Sequence, residues 1–257
     1  MGSGGAAPGW NQLSERVGQN PPMRRICVAA VAAVLVVVAA SCSGSPSGSA
    51  GAGPTTSTAM PKVTVAGDSI SVGLGASLRT ALGSGVDVKV IGEGGTGLAR
   101  PDTFDWPARL AKLAREFPPT VLVLSLGSND AQDLTDASGK DLVPFAKFPP
   151  SAAWDAEYTR RLEASFDAFA STGTRVLWVG HVVTAEARVG QMNRHIHQLA
   201  VEVAKSRPFV EVADLAELLS TGESKATRCL VDDGLHLTVA CLDEAAGTLR
   251  DRLPPVR

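Results

Sequence analysis

Short valine-rich runs alternate with amphipathic segments throughout residues 62–257, and this alternation limits the folds that the chain can adopt. The runs are Val63–Ala66, Val86–Ile91, Val121–Leu126, Val176–Val179 and Phe209–Val212. Continuous apolar runs are typical of strands buried on both faces. The segments between them carry apolar residues at three- and four-residue intervals, as helices with one buried face do. The pattern predicts an α/β fold with a mostly parallel five-stranded sheet, right-handed crossovers and helices on both faces.

The first forty residues have the pattern of an export signal. Met23 is followed by Arg24 and Arg25, by fifteen apolar residues at 26–40 and by Ala-Ala-Ser-Cys ending at Cys42. A membrane-spanning helix usually needs ~20 apolar residues, so the pattern favours a cleaved signal. Ala-Ala-Ser-Cys resembles a bacterial lipobox. We therefore expect residues 1–41 to be removed and Cys42 to be lipidated; translation could begin at Met1 or at Met23.

A linker is predicted at residues 42–61. Its sequence after Cys42, SGSPSGSAGAGPTTSTAMP, is biased toward Gly, Ser, Pro and Thr and has no periodic apolar residues, so it cannot form a core. Nineteen flexible residues reach roughly 25 Å, which is enough to hold a domain away from a membrane surface. The folded domain is expected at residues 62–257, exported and either lipid-anchored or secreted.

Charge and histidine spacing exclude two classes of partner. Lys and Arg total 24 against 26 Asp and Glu, and no basic stripe follows a predicted helix, so we expect no nucleic acid partner. His195 and His197 are two residues apart on a predicted helix, so they point in different directions and cannot share a metal ion. We expect no cofactor, no metal and a monomeric protein.

Polar residues collect where the predicted strands end. Ser69 follows the first strand in KVTVAGDSISVGLG, Gly97 follows the second, and Gly-Ser-Asn-Asp at 127–130 follows the third. Asp233 and His236 lie in VDDGLHLT, just before the last predicted helix. The carboxyl ends of parallel strands form one edge of a sheet, where ligands usually bind. These four distant segments are therefore predicted to converge.

The residue types at this edge suit nucleophilic catalysis. A serine hydroxyl needs an imidazole to take its proton and a carboxylate to orient that imidazole. His236 and Asp233 can supply both, with Asp232 as a competing carboxylate. Alternatively, Gly-Asp-Ser is an ordinary helix start with Asp68 or Ser69 as the N-cap.

A tetrahedral intermediate also needs hydrogen-bond donors for its oxyanion. The amides of Ser69 and Gly97 and the side chain of Asn129 are suitable donors. Glycine at position 97 would let the backbone approach the substrate closely.

The order of these motifs resembles the four sequence blocks of the SGNH (GDSL-type) hydrolases. The resemblance covers nearly the whole domain and implies a flavodoxin-like three-layer α/β/α sandwich. It assigns the following roles: Ser69 as nucleophile, His236 as base, Asp233 as its partner, and Gly97 and Asn129 as oxyanion donors. No Gly-x-Ser-x-Gly elbow occurs, which argues against the ordinary α/β-hydrolase arrangement.

The second block departs from the family pattern. It usually has an asparagine ahead of its glycine, whereas this chain reads IGEGGTGLARPD, so Gly94 and Gly95 are alternatives to Gly97. The run TGLARPDTFDWP resembles a bacterial subgroup that is often secreted and linked to acyl groups of the envelope. Arg100 and Asp102 in this run are candidates for the pocket rim, and His181 could line the pocket.

Two functional hypotheses follow from these motifs. The first is an exported serine esterase that forms an acyl-enzyme on Ser69 and acts on an O-acyl ester of the cell envelope, such as a glycan ester, or on a small ester. An O-acyltransferase with the same triad is a close variant. The second hypothesis is a non-catalytic envelope lipoprotein that keeps the sandwich as a binding module.

The remaining cysteines and one long loop give two structural expectations. Cys27 leaves with the signal and Cys42 lies in the linker, so Cys229 and Cys241 are left in the domain. An oxidising compartment favours a disulfide between them, and two buried free thiols are the alternative. The loop DAQDLTDASGKDLVPFAKFPP, at residues 130–150, is expected to cover the pocket.

Overall fold

A computed structural model describes residues 60–180, 184–219 and 227–253 of the chain. The strands, in chain order, are β1 Lys62–Gly67, β2 Asp87–Gly92, β3 Val121–Ser125, β4 Leu134–Thr135, β5 Asp141–Val143, β6 Arg175–Gly180 and β7 Val210–Asp214. The helices are α1 Ser69–Leu82, α2 Trp106–Glu116, α3 Ala152–Asp167, α4 Ala187–Ala204 and α5 Val239–Arg252, and a 3₁₀ turn lies at Gly83–Gly85.

Five of the strands form one parallel sheet in the order β2-β1-β3-β6-β7. Every neighbouring pair is parallel, and the register places Gly67 opposite both Gly92 and Ser125. This is the flavodoxin-like strand order, with the carboxyl ends of all five strands at one edge. The predicted fold class is therefore confirmed, and each predicted strand is present with ends that shift by one or two residues.

Each face of the sheet is covered by helices. Along β3, Val121 and Val123 point into one apolar cluster and Leu122 and Leu124 into the other, as expected for a strand buried on both faces. The first cluster contains the buried faces of α1 and α5, and the second contains those of α2, α3 and α4. Full burial of a side chain such as Leu78 or Leu122 contributes about 1.5–3 kcal/mol.

The structure adds two features that the sequence left open. Of the two residues considered as the N-cap of α1, Asp68 takes that role and the helix begins at Ser69, because the Asp68 side chain accepts from the Ile70 amide at 3.0 Å. The loop after β3 contains a short antiparallel hairpin of β4 and β5. Strands of two and three residues give no sequence signal that distinguishes them from a loop.

Several sequence predictions concern residues outside the described ranges. These are the signal at 1–41, lipidation of Cys42, the linker over 42–59 and the position of His181. Within the ranges that are described, no helix has the length and apolar character needed to cross a membrane.

Candidate active site

The turn between β1 and α1 divides two roles between adjacent residues. The buried carboxylate of Asp68 caps the helix, while Ser69 is the first helical residue and is partly exposed. Because Asp68 satisfies the Ile70 amide, the Ser69 hydroxyl is not needed as a cap. The helix-start and nucleophile interpretations of Gly-Asp-Ser are thus compatible.

Ser69, His236 and Asp233 form a continuous hydrogen-bonded chain. The Oγ of Ser69 lies 2.7 Å from Nε2 of His236, and Nδ1 of His236 lies 2.7 Å from Oδ2 of Asp233. A carboxylate can only accept a hydrogen bond, so the neutral imidazole carries its proton on Nδ1 and leaves Nε2 as an acceptor for the serine proton.

The surroundings of Asp233 keep its carboxylate charged. Its Oδ1 accepts from the amides of His236 and Leu235, both at 2.9 Å. These two amides, together with the imidazole of His236, lower the pKa of Asp233 to about 2. The alternative partner, Asp232, is exposed, and His236 bonds to Asp233 instead.

The loop that carries Asp233 and His236 is closed at its base. The Val231 amide donates to the His236 carbonyl and the Thr238 amide donates to the Cys229 carbonyl, both at 2.9 Å. A disulfide joins Cys229, one of these hydrogen-bonded residues, to Cys241 of α5, and their Cα atoms are 6.1 Å apart. The structure therefore contains the predicted cysteine pair.

At the tip of the loop, Gly234 has a φ of +68°, and a Cβ there would lie 2.5 Å from Cβ of Ala185. The Gly234 carbonyl accepts from the Ala185 amide at 2.7 Å. Only glycine fits this turn without strain, and it fixes the tip against the segment that precedes α4.

Three candidate oxyanion donors lie on the segments that follow β1, β2 and β3. The side-chain nitrogen of Asn129 donates to the Thr96 carbonyl at 2.9 Å, which orients the amide group and leaves its second N–H available. Within the described ranges, the backbone amides of Ser69 and Gly97 have no hydrogen-bond acceptor.

The three glycines of the second block differ in their steric requirements. A Cβ at Gly97 would lie 2.0 Å from Oδ1 of Asp130, whereas a Cβ at Gly94 would make an ordinary contact and one at Gly95 would meet nothing within 4 Å. Gly95 requires glycine for its φ of +73°, and Gly97 is the position where a neighbouring side chain leaves no space for a Cβ.

Two buried acids support the site in roles that sequence reasoning did not give them. Asp130 is fully buried, and burial raises its pKa, although the amides of Ala99 and Leu98 and the hydroxyl of Tyr158 stabilise its charge. Burial also raises the pKa of Asp68 to about 6, against hydrogen bonds from Ser128 and Ile70. For Asp68 the available signal was an acid directly after a buried strand, and for Asp130 an acid in the loop that follows β3.

The residue 130–150 loop lines a cavity of about 260 Å³ beside the second block. Its wall includes Gly97 and Leu98 from that block, Thr135 from the loop, and Arg161 from α3. None of the triad residues, nor Asn129, is among the lining residues. The loop thus covers a space next to one candidate oxyanion donor rather than the serine itself.

The pocket-rim candidates Arg100 and Asp102, and the tryptophan that follows them at position 106, have local structural partners. Arg100 donates to both carboxylate oxygens of Asp102, which also accepts from the Thr135 hydroxyl. Trp106 is fully buried at the start of α2 and donates to the Thr96 hydroxyl at 2.9 Å.

The two histidines of α4 are not brought together at a metal site. His195 pairs with Asp155 at 2.6 Å, and His197 packs against Gly180. Over the described part of the chain, no group of three or more His, Cys, Asp and Glu residues could hold a metal ion.

Solved structures share this fold at low sequence identity. A candidate SGNH hydrolase from Slackia heliotrinireducens superposes with a TM-score of 0.54 at 16% identity, covering 75% of this chain and 98% of its own. A candidate arylesterase from Agrobacterium tumefaciens gives 0.52 at 17% identity, covering 76% and 100%. The carbohydrate acetylesterase Est24 from Sinorhizobium meliloti gives 0.52 at 16% identity, covering 75% and 97%.

Sequence comparison places the chain in a family. No curated protein matches it in sequence. The model of the family described as "Protein of unknown function (DUF459)" matches residues 62–243, which is most of the chain. The chain therefore belongs to the DUF459 family, and it shares the fold of solved SGNH hydrolase and esterase structures.

Proposed function

We propose that the protein is a serine esterase that hydrolyses acyl esters through an acyl-enzyme on Ser69. The observation that carries the proposal is the unbroken chain of hydrogen bonds from Asp233 through His236 to Ser69. A non-catalytic binding module has no physical need for an imidazole held between a charged carboxylate and a partly exposed serine hydroxyl.

In the first half of the reaction, Oγ of Ser69 attacks the ester carbonyl while its proton passes to Nε2 of His236. Asp233 stays ionised and stabilises the imidazolium. The negative oxygen of the tetrahedral intermediate accepts hydrogen bonds from the amides of Ser69 and Gly97 and from Asn129. His236 then gives its proton to the leaving alcohol as the carbon–oxygen bond breaks.

The second half repeats these steps with water. His236 takes a proton from the attacking water, the same donors stabilise the second tetrahedral intermediate, and collapse releases the carboxylic acid and regenerates the Ser69 hydroxyl. The same groups thus act in both halves, and no further reactant is required.

The substrate we propose is an O-acyl ester of the cell envelope, such as an acylated glycan, or a small ester. Two observations support it: the export pattern at residues 1–42, and the fold shared with Est24, which is a carbohydrate acetylesterase. The disulfide between Cys229 and Cys241 suits an oxidising compartment. We propose that the mature protein is exported and held at the membrane by a lipid on Cys42.

The test is turnover of p-nitrophenyl acetate by the wild type, by Ser69→Ala and by Ser84→Ala. Ser84 is an exposed serine of the 3₁₀ turn and is the matched control. We expect the wild type and Ser84→Ala to hydrolyse the ester equally and Ser69→Ala to fall to the uncatalysed rate. Mass spectrometry after a fluorophosphonate label should place the adduct on Ser69. Equal rates in all three proteins would refute the esterase.

A further inference from the structure

The dipeptide Leu98-Ala99 has all four of its backbone polar groups bonded to buried charged side chains. On one side, the amides of Leu98 and Ala99 donate to the two oxygens of Asp130, each at 2.9 Å. On the other side, Nη1 of Arg161 donates to the carbonyls of the same two residues at 2.7 and 2.9 Å. Gly97, one of the candidate oxyanion donors, is the residue immediately before this dipeptide.

Arg161 reaches the dipeptide from the buried face of α3. Its Nη2 donates to the Thr135 carbonyl at 2.6 Å and its Nε donates to Glu157 at 2.8 Å. Only 4% of the residue is exposed, in contrast to its neighbour Arg160, whose side chain is 65% exposed. Tyr158, one turn earlier on the same face, donates to Asp130 at 2.7 Å. Helix α3 therefore bonds the carbonyl side of the Leu98-Ala99 backbone directly through Arg161 and supports the amide side indirectly, through the contact of Tyr158 with Asp130.

We propose that Arg161 is a positioning residue for catalysis, which with Asp130 holds Leu98-Ala99 so that the Gly97 amide stays aligned with the developing oxyanion. The inference rests on the proposed esterase function. Arg161 contacts neither Ser69 nor His236 and acts only through the backbone that it orients.

The geometry explains why an arginine is suited to this position. Its planar guanidinium presents several donors in fixed directions, so one side chain can bond three separate carbonyls and a carboxylate. Without it, the carbonyls of Leu98 and Thr135 lose a buried charged donor and the Ala99 carbonyl keeps only the Thr135 amide, at 3.1 Å, so the loop must shift to find water or another partner. A displacement of ~1 Å in a catalytic donor can reduce the rate by about 10²-fold.

The decisive experiment compares kcat and KM for p-nitrophenyl acetate in the wild type, Arg161→Ala and Arg207→Ala. Arg207 is the matched control, because it also bonds a carboxylate and a backbone carbonyl, those of Asp167 and Val203, and its side chain is 13% exposed. We expect Arg161→Ala to lower kcat by ~10- to 100-fold with a smaller change in KM. Arg207→Ala should lower the melting temperature and leave kcat near that of the wild type.

Chemical rescue separates positioning from general loss of stability. The cavity beside the second block is lined by Arg161, so free guanidinium has a route to the space that the truncated side chain leaves. We expect guanidinium, well below denaturing concentrations, to restore part of the kcat of Arg161→Ala, while urea, which has the same shape without the charge, does not. The proposal would be overturned if Arg161→Ala had the kcat of the wild type. It would also be overturned if neither guanidinium nor urea restored kcat, or if both did.

A second variant covers the case in which Arg161→Ala does not fold. Arg161→Lys keeps the charge, but all the donors of an ammonium group lie on one nitrogen, whereas Arg161 reaches Glu157, the Leu98-Ala99 carbonyls and Thr135 from three separate nitrogens. We expect it to fold and to have a lower kcat than the wild type, and an unchanged kcat would contradict the role of the guanidinium. Amide hydrogen exchange at residues 97–99 should become faster in Arg161→Lys and stay unchanged in Arg207→Ala. Hydrogen exchange can be measured without any enzymatic activity. An inactive wild type would refute the esterase function. If the wild type is active but Arg161→Lys has unchanged exchange and unchanged kcat, only the positioning role is refuted.

Discussion

The carboxylate of Asp68 accepts a hydrogen bond from the hydroxyl of Ser128, and this contact joins the turn before α1 to the turn after β3. Both residues are buried, so the charge of Asp68 is removed from water. Burial is the main reason that the pKa of Asp68 rises to about 6, and the nearby charge of Asp130 raises it further. The serine-bearing turn is thus built on a carboxyl group that titrates near neutral pH.

This contact predicts a specific dependence of stability on pH. The folded pKa of about 6 is above the ordinary value of 3.8, so the contribution of Asp68 is fully present below pH 3.8 and is lost as the pH rises through 6. The difference corresponds to at most about 3 kcal/mol in the free energy of unfolding. In Asp68→Asn, which is neutral at every pH, that part of the dependence should disappear.

Urea unfolding at pH 5 and pH 8 measures the difference between the two proteins. The wild type should lose more stability than Asp68→Asn between these pH values. Asp243→Asn, a change at an exposed position of α5, is the control and should keep the wild-type dependence. Parallel curves for the wild type and Asp68→Asn would show that the carboxyl does not titrate in this range.

A second prediction concerns the side chain of Asn129. Because an oxyanion donor acts mainly where charge develops, Asn129→Ala should lower kcat by ~10²–10³-fold with a smaller change in KM. Asn129→Asp has nearly the same shape but places a carboxylate near the Thr96 carbonyl and the oxyanion, so its kcat should fall at least as far. Steady-state kinetics on p-nitrophenyl acetate measure both, and a loss confined to KM would contradict the role.

A third prediction follows from the two oxygens of Asp233, which have different partners. Oδ1 accepts from two backbone amides and Oδ2 accepts from the imidazole. In Asp233→Asn, the amide oxygen is expected to keep the backbone contacts, so the NH₂ group faces Nδ1 of His236. The imidazole must then accept at Nδ1 and carry its proton on Nε2, where it cannot take the proton of Ser69.

We therefore expect Asp233→Asn to lower kcat by ~10³–10⁴-fold without unfolding the loop. Asp232→Asn is the control, since it makes the same chemical change one residue away at an exposed carboxylate, and its kcat should match the wild type. Because the pKa of Asp233 is about 2, its ionisation does not explain any loss of wild-type activity between pH 5 and pH 7. Equal kcat values in the two variants would refute the assigned partner.

The sheet and the triad could be predicted because their signals are local. Each strand is a short apolar run, and Ser69, Asp233 and His236 are chemically distinctive residues next to predicted element ends. The role of Arg161 could not be predicted in this way, since its partners are backbone carbonyls in distant segments. Its one signal is the helical spacing that places it with Tyr158 and Leu162 on the buried face of α3. The steric need for Gly97 likewise depends on Asp130, 33 residues later in the sequence.

The last prediction concerns the disulfide between Cys229 and Cys241, which encloses both Asp233 and His236. A cross-link with a sequence separation of 12 residues stabilises the folded state by about 3 kcal/mol on the chain-entropy estimate. The hydrogen bonds between Val231 and His236 and between Thr238 and Cys229 do not depend on it, so the loop should loosen rather than unfold. We expect Cys229→Ser with Cys241→Ser to lower the melting temperature and to reduce kcat by ~3- to 10-fold, since small displacements of catalytic groups reduce rates.

Hydrogen exchange shows where the loosening occurs. It should become faster at residues 230–237 in the double variant, while β1 and β3 should keep their protection, because each of these strands is paired with a neighbouring strand on both sides. Treating the wild type with a reductant should reproduce both the loss of kcat and the faster exchange, and should have no effect on the double variant. Full activity of the double variant would show that catalysis does not depend on the disulfide. If both thiols of the unreduced mature protein can be alkylated, the disulfide does not form.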